Sequence, residues 1–177
     1  MKEITTLKTI NNQGTWRFFF LSIVTMGIYP LMWAWKNTDL FNKEMNSQVK
    51  SNILLAITIL YTVAVIFEAF SWESLSPLGY DTEESLAFEF ISNLIYLAAA
   101  ICWIIWAIQM KKALEFYAAT EFGLNLKLNM FWTILFQYLY INYCINDLEN
   151  HLVKQQVLDA ARKKQFEASH HLEKESS

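Results

Sequence analysis

Two uninterrupted apolar stretches limit what this 177-residue chain can fold into. Residues 53–70, ILLAITILYTVAVIFEAF, carry a single charge, Glu68, near their end, and residues 90–110, FISNLIYLAAAICWIIWAIQM, carry none. A bilayer core about 30 Å thick is crossed by roughly 20 apolar residues of helix, and both stretches meet that length. A buried helix of a soluble protein looks this apolar over shorter runs, and this chain is too short to surround two of them. Composition agrees. Hydrophobic residues make up 54% and charged residues 18%, against about 25% charged in a typical globular domain. That balance excludes a disordered chain, a disulfide scaffold and a nucleic-acid binder with a basic surface.

Two less perfect apolar segments flank this pair: residues 16–35, WRFFFLSIVTMGIYPLMWAW, and residues 130–145, MFWTILFQYLYINYCI. The expectation is an all-α membrane protein with four membrane-embedded segments. The central two span as a hairpin, and the outer two are half-inserted or kinked. Residues 1–150 form one membrane domain, followed by a cytoplasmic helical tail, 151–177, frayed from about 170. No small-x-small cleavage site follows the first apolar run, so it does not read as a cleaved leader. Cys102 and Cys144 lie inside apolar segments and read as small apolar side chains.

Lys and Arg collect on the cytoplasmic side of a membrane. The chain has 14 of them, and the connection 71–89 has none, carrying Glu73, Asp81, Glu83, Glu84 and Glu89 instead. That connection is expected outside, with Glu68 and Glu89 brought together as part of an acidic external cluster. Such a mouth could gather cations, although loops also need polar residues for solubility alone. Four full spans would divide the basic residues almost evenly. Two spans, with the outer segments entering and leaving on one face, put all of them inside, together with both termini. The sequence favours the second arrangement, and a proline-kinked spanning helix is the alternative.

Gly27 and Pro30 bracket Ile28-Tyr29 at the middle of the first segment. Glycine lets the backbone turn, and proline removes a donor and disfavours helix before it. Each half is about nine residues, near 13 Å as helix. In the fourth segment Asn125, Asn129, Thr133 and Gln137 follow i, i+4 spacing, which suits a polar face on a shallow helix. The two segments also align at an offset of 108: Thr25 falls on Thr133, Leu31 on Leu139, and Asp39-Leu40-x-Asn42 on Asp147-Leu148-x-Asn150. Five identities in eighteen suggest a duplication only faintly, since shared apolar composition inflates such matches.

The run LSIVTMGIYPLMWAWKNTDLFNKE, Leu21 to Glu44, resembles the opening of a family of small bacterial membrane proteins called domain of unknown function 4234. The matching positions are Leu21, Ser22, Ile23, Val24, Thr25, Gly27, Ile28, Tyr29, Trp33 and Lys36. The resemblance implies residence in the bacterial inner membrane, and it supplies no agreed activity, cofactor or catalytic residue.

Candidate chemistry is sparse. His151, His170 and His171 all lie in the tail, and there is no HExxH, CxxC, phosphate loop or G-x-S-x-G. The centres of the apolar stretches hold no ionisable residue, which intramembrane catalysis usually needs. No catalytic, cofactor or metal residue is therefore assigned, and an enzyme is not expected. Thr58, Thr62 and Asn93 suit hydrogen bonding between helices, and Ala98, Ala99 and Ala100 permit close approach. The tryptophans, Trp16, Trp33, Trp35, Trp72, Trp103, Trp106 and Trp132, lie mostly near segment ends and read as interfacial anchors. The helix Lys36 to Lys50, with Phe41, Met45 and Val49 on one face, and the basic tail suit lipid or partner helices.

The leading functional expectation is a non-enzymatic bacterial inner-membrane protein that binds a partner or shapes the local bilayer. The motif residues are Thr25, Gly27, Tyr29, Pro30, Trp33, Asp39, Asn42, Asp147 and Asn150. Alternatives are an immunity protein against a membrane-acting toxin and an oligomeric channel or transporter subunit. Expected partners are the lipid bilayer and a protein partner or second copy, with no nucleic acid.

Overall fold

The structure, a computed structural model, describes residues 3–73 and 83–175, with side chains over 3–69 and 86–165. Every regular element among them is helical: α1 (Thr6–Asn11), α2 (Thr15–Val24), α3 (Ile28–Met45), α4 (Asn52–Glu73), α5 (Glu83–Phe122) and α6 (Met130–Glu175). Two of these, α4 and α5, are long and apolar enough to cross a membrane.

These two form the antiparallel hairpin expected. Lys50 donates its amide to Gln109 Oε1 at the near end. Tyr61 meets Tyr96 at 5.9 Å between ring centroids, and Phe67 meets Phe88 at 6.0 Å. Ala64 and Ala99 are fully buried, as small residues must be where two helix backbones approach closely. α5 continues for 40 residues, about 60 Å at 1.5 Å per residue, far beyond its apolar stretch. Its polar extension carries Leu114, Tyr117 and Ala118 into the core with Phe41 and Met45 of α3.

Gly123, at φ 62°, closes α5. Its amide bonds Ala119 O and the next amide bonds Ala118 O, satisfying the last carbonyls of the helix. The following loop alternates with period two: Leu124, Leu126 and Leu128 are buried, and Asn125 and Lys127 are exposed. Glu115 holds the loop down, accepting the Leu128 amide at 2.7 Å and the Lys111 ammonium at 2.9 Å.

Both flanking segments are broken. α2 has only 10 residues, about 15 Å of helix. The chain then reverses, because Phe18 of α2 packs on Tyr29 and Trp33 of α3, at 5.8 and 4.9 Å between ring centroids. α6 is interrupted at Gln137, whose φ and ψ are 40° and −114°. Its bend is sharp. In a straight helix residues 129 and 140 lie about 16 Å apart along the axis, farther than a tyrosine reaches, yet the Asn129 amide donates to the Tyr140 hydroxyl at 3.1 Å.

Four expectations need correction. Trp33, Trp103 and Trp106 are core residues, at most 4% exposed, and not interfacial anchors; Trp16, Trp35 and Trp132 are exposed, and the Trp72 side chain lies outside the described residues. Pro30 does not break its helix: it sits in the first turn of α3, where an amide has no intrahelical acceptor to lose. Asn125, Asn129, Thr133 and Gln137 do not share a helix face, because the first two precede α6 and Gln137 is its break. Of the polar residues expected between helices, Thr58 accepts the Trp35 indole at 3.0 Å, whereas Thr62 bonds its own helix at Thr58 O and Asn93 is exposed.

Candidate functional site

The Thr25–Pro30 motif builds a helical reversal. The Thr25 hydroxyl donates to Leu21 O at 2.7 Å and accepts the Tyr29 amide at 2.9 Å, so one side chain closes α2 and caps α3. Gly27 adopts φ 89° and starts α3, and its amide returns to Ser22 O at 2.9 Å. A left-handed residue costs little when it has no Cβ. Met26 holds φ 49° beside it and is 93% exposed. The tip borders a cleft of about 300 Å³ against the central hairpin, where Tyr61, Glu68 and Tyr96 face Gly27 and Ile28.

At the open end of the reversal lies a buried polar node. Asn11 Oδ1 accepts the Trp33 indole N–H at 2.9 Å and the Asn142 amide at 3.2 Å. Its Nδ2 donates to Asn146 Oδ1 at 3.1 Å and to Gln13 O at 3.2 Å. Asn146 in turn donates to Gln13 O, Thr15 Oγ1 and Asn142 Oδ1. Asn11 is 2% exposed and Asn142 fully buried. Such groups are tolerated inside only when their donors and acceptors are matched, and these are. The node thereby ties α1 to both broken segments.

Next to it five aromatic rings close a circuit through four helices. Phe18 meets Trp33 at 4.9 Å, Trp33 meets Trp106 at 6.2 Å, and Trp106 meets Trp103 at 5.4 Å. Trp103 meets Tyr138 at 5.0 Å, and Tyr138 returns to Phe18 at 6.1 Å. Each edge-on or tilted pair contributes about 0.5–1.5 kcal/mol beyond its buried area. The circuit seats α2, α3 and the bend of α6 against the span-length helix α5.

The two DLxN copies do different work. Asp39 accepts the Ser51 hydroxyl at 2.8 Å, and Asn42 braces the α3–α4 turn by donating to Val49 O and accepting from Val49 N and Ser47 Oγ. Asp147 and Asn150 bond each other at 2.6 Å on one helix turn, and Asp147 also faces His151 at 3.4 Å. In the acidic cluster, the Phe67–Phe88 contact sets Glu68 and Glu89 at one level of the hairpin. Glu68 accepts the Tyr96 hydroxyl at 2.9 Å. The side chains of Glu73, Asp81, Glu83 and Glu84 lie outside the described residues.

Sequence reasoning missed α1 and the node. Asn142 and Asn146 carried a usable signal, being amides at i, i+4 spacing within and just beyond an apolar segment. Asn11 carried none, because its side-chain partners Trp33, Asn142 and Asn146 are all more than 20 residues away. Cys102 and Cys144 are free thiols, the second buried in the core. Among the described residues no three His, Cys, Asp or Glu side chains gather as a metal site would require.

Architecture thus defines an all-helical protein with two apolar, span-length helices and two broken segments packed on them. The chain belongs to the family described as domain of unknown function (DUF4234), which matches it over residues 13–115. That region runs from the start of α2 to Glu115, so it contains the helical reversal and the central hairpin and stops before α6. No curated protein and no solved structure matches the chain.

Proposed function

We propose that this chain is a non-enzymatic protein of the bacterial inner membrane that shapes the local bilayer from its cytoplasmic face. In this reading α4 and α5 cross the membrane, and the α2–α3 reversal and the bend of α6 enter the cytoplasmic leaflet and return. The observation that carries it is the pairing of Phe18 with Tyr29 and Trp33. A 10-residue α2 that doubles back is half the length a crossing needs. Its tip also suits lipid: Val24, Met26 and Ile28 are each more than 60% exposed. Along the first part of α6, Phe131, Trp132 and Leu135 are exposed as well. Apolar volume placed in one leaflet without a counterpart in the other bends the bilayer toward the protein-poor side. Both termini and all the basic residues then share the cytoplasmic side, as charge placement favours.

Reconstitution into preformed vesicles of defined diameter tests the reading. Increasing protein-to-lipid ratio is expected to yield smaller vesicles or tubules by electron microscopy, with a weaker effect for a Val24→Ser/Met26→Ser/Ile28→Ser variant. Vesicles of unchanged diameter at every ratio would sink it.

A further inference from the structure

We propose that the cleft beneath the tip of the α2–α3 reversal is a binding site for an amphipathic organic cation, a primary ammonium carried on an apolar body. The cleft holds about 300 Å³ between the reversal and the central hairpin. Met26, Ile28, Leu31 and Val65 supply apolar walls, and Tyr61 and Glu68 of α4 and Tyr96 of α5 supply the polar groups. Among the described residues no Lys, Arg or His lines it. The end of α3 offers an anion nothing either. The Ile28 amide is taken by Thr25 O and the Tyr29 amide by Thr25 Oγ1, and Pro30 has no N–H to give.

Two oxygens are free to receive the ammonium. Glu68 accepts the Tyr96 hydroxyl through Oε2 at 2.9 Å, and its Oε1 has no partner among the described residues. The side chain is exposed, so a ligand reaches it. The Tyr61 hydroxyl makes no hydrogen bond among the described residues. It is not sealed off, since Gln13 Oε1 is the one fully buried side-chain polar atom there that lacks a partner. Tyr96 touches both groups, its ring 5.9 Å from that of Tyr61 and its hydroxyl on Glu68, and so holds them at one wall. A carboxylate without a counter-charge, set against apolar side chains, is met most strongly by a charged N–H donor. The hydroxyl accepts a second N–H of the same ammonium, and the walls take its apolar body. Supply suits this charge as well: the connection 71–89 carries five carboxylates and no Lys or Arg, and such a field gathers cations. That this mouth faces outward rests on the topology proposed above, whereas the binding itself does not.

The test uses the full-length protein in a neutral detergent, titrated by calorimetry with phenethylammonium, with the neutral 2-phenylethanol and with methylammonium. Phenethylammonium is expected to bind at least about tenfold more tightly than either, since the alcohol lacks the charge and methylammonium lacks the apolar body. Glu68→Gln, at an exposed position, should bring phenethylammonium down to the level of the alcohol, and Tyr61→Phe should weaken it by about threefold or more. Glu89→Gln removes the other carboxylate at that level of the hairpin and should leave binding unchanged. The alcohol or methylammonium binding as tightly as phenethylammonium, or parent affinity in Glu68→Gln, would overturn the assignment. Equal losses in Glu68→Gln and Glu89→Gln would also overturn it, because they would show a diffuse acidic field and no site. Neither bilayer shape nor sidedness enters a measurement in micelles, so failure here is separable from failure of the proposed function, which vesicle diameter reads independently.

Discussion

The indole nitrogen of Trp33 donates to Oδ1 of Asn11 at 2.9 Å, across 22 residues and inside the core. This bond joins the aromatic circuit to the asparagine node, so the packing of the reversal and the position of α1 depend on each other. Asn11→Leu removes an acceptor from two buried donors, Trp33 Nε1 and Asn142 Nδ2, and strands both. An unsatisfied buried group costs about 1–3 kcal/mol. The expected loss is therefore about 3 kcal/mol by reversible denaturation in mixed micelles. A variant as stable as the parent would show that the node does not hold α1.

Thr25 makes a different prediction, because its two bonds are local. Thr25→Val keeps the shape and removes both, for an expected loss of about 1–2 kcal/mol. Thr25→Ser retains the hydroxyl and is expected within about 0.5 kcal/mol of the parent. Equal losses in the two variants would mean that the methyl group, and not the cap, is what matters.

Backbone conformation yields a pair of opposite effects. A Cβ on Gly27 would meet nothing within 4 Å, so Gly27→Ala carries only the left-handed cost of about 1–2 kcal/mol at φ 89°. Gln137 already bears such a cost at φ 40°, and Gln137→Gly is expected to raise stability by about 1 kcal/mol. Thermal melts of the two variants should move in opposite directions from the parent.

How much of this was visible in the sequence depends on the distance over which each signal acts. The pairing of α4 with α5 was legible because unbroken apolarity and the absence of Lys and Arg from residues 71–89 are properties of the chain itself. The reversal was legible in outline through Gly27, but its chemistry was not. Sequence names Gly27 and Pro30 together as the break, although Pro30 lies in the first turn of a helix started by Gly27 and capped by Thr25. The tryptophans were misread because position near a segment end cannot tell an interfacial ring from one that meets another helix. Trp33, Trp103 and Trp106 find each other only after the reversal folds. The Asn11–Asn142 bond, 131 residues apart, has no local trace at all.

The aromatic circuit should be more sensitive to substitution than the exposed aromatics near it. Phe18 is fully buried and touches three rings, and Phe18→Ala is expected to cost about 3–5 kcal/mol. Trp16, two residues away and 75% exposed, is expected to lose less than about 1 kcal/mol on change to Leu. Comparable losses at the two positions would deny the circuit its role.

The central claim is that the chain crosses the membrane only with α4 and α5. It is tested most directly by single cysteines at Ser47, Ser76 and Thr120, introduced with Cys102 and Cys144 replaced, and labelled on intact cells by a membrane-impermeant maleimide. Cysteines at Thr5 and Ser169 report the termini in the same experiment. Labelling at position 76 alone, with the other four reached only after the membrane is opened, is the result expected. Labelling from outside at positions 47 and 120 would show that the reversal and the bend of α6 cross the bilayer, and would contradict the account.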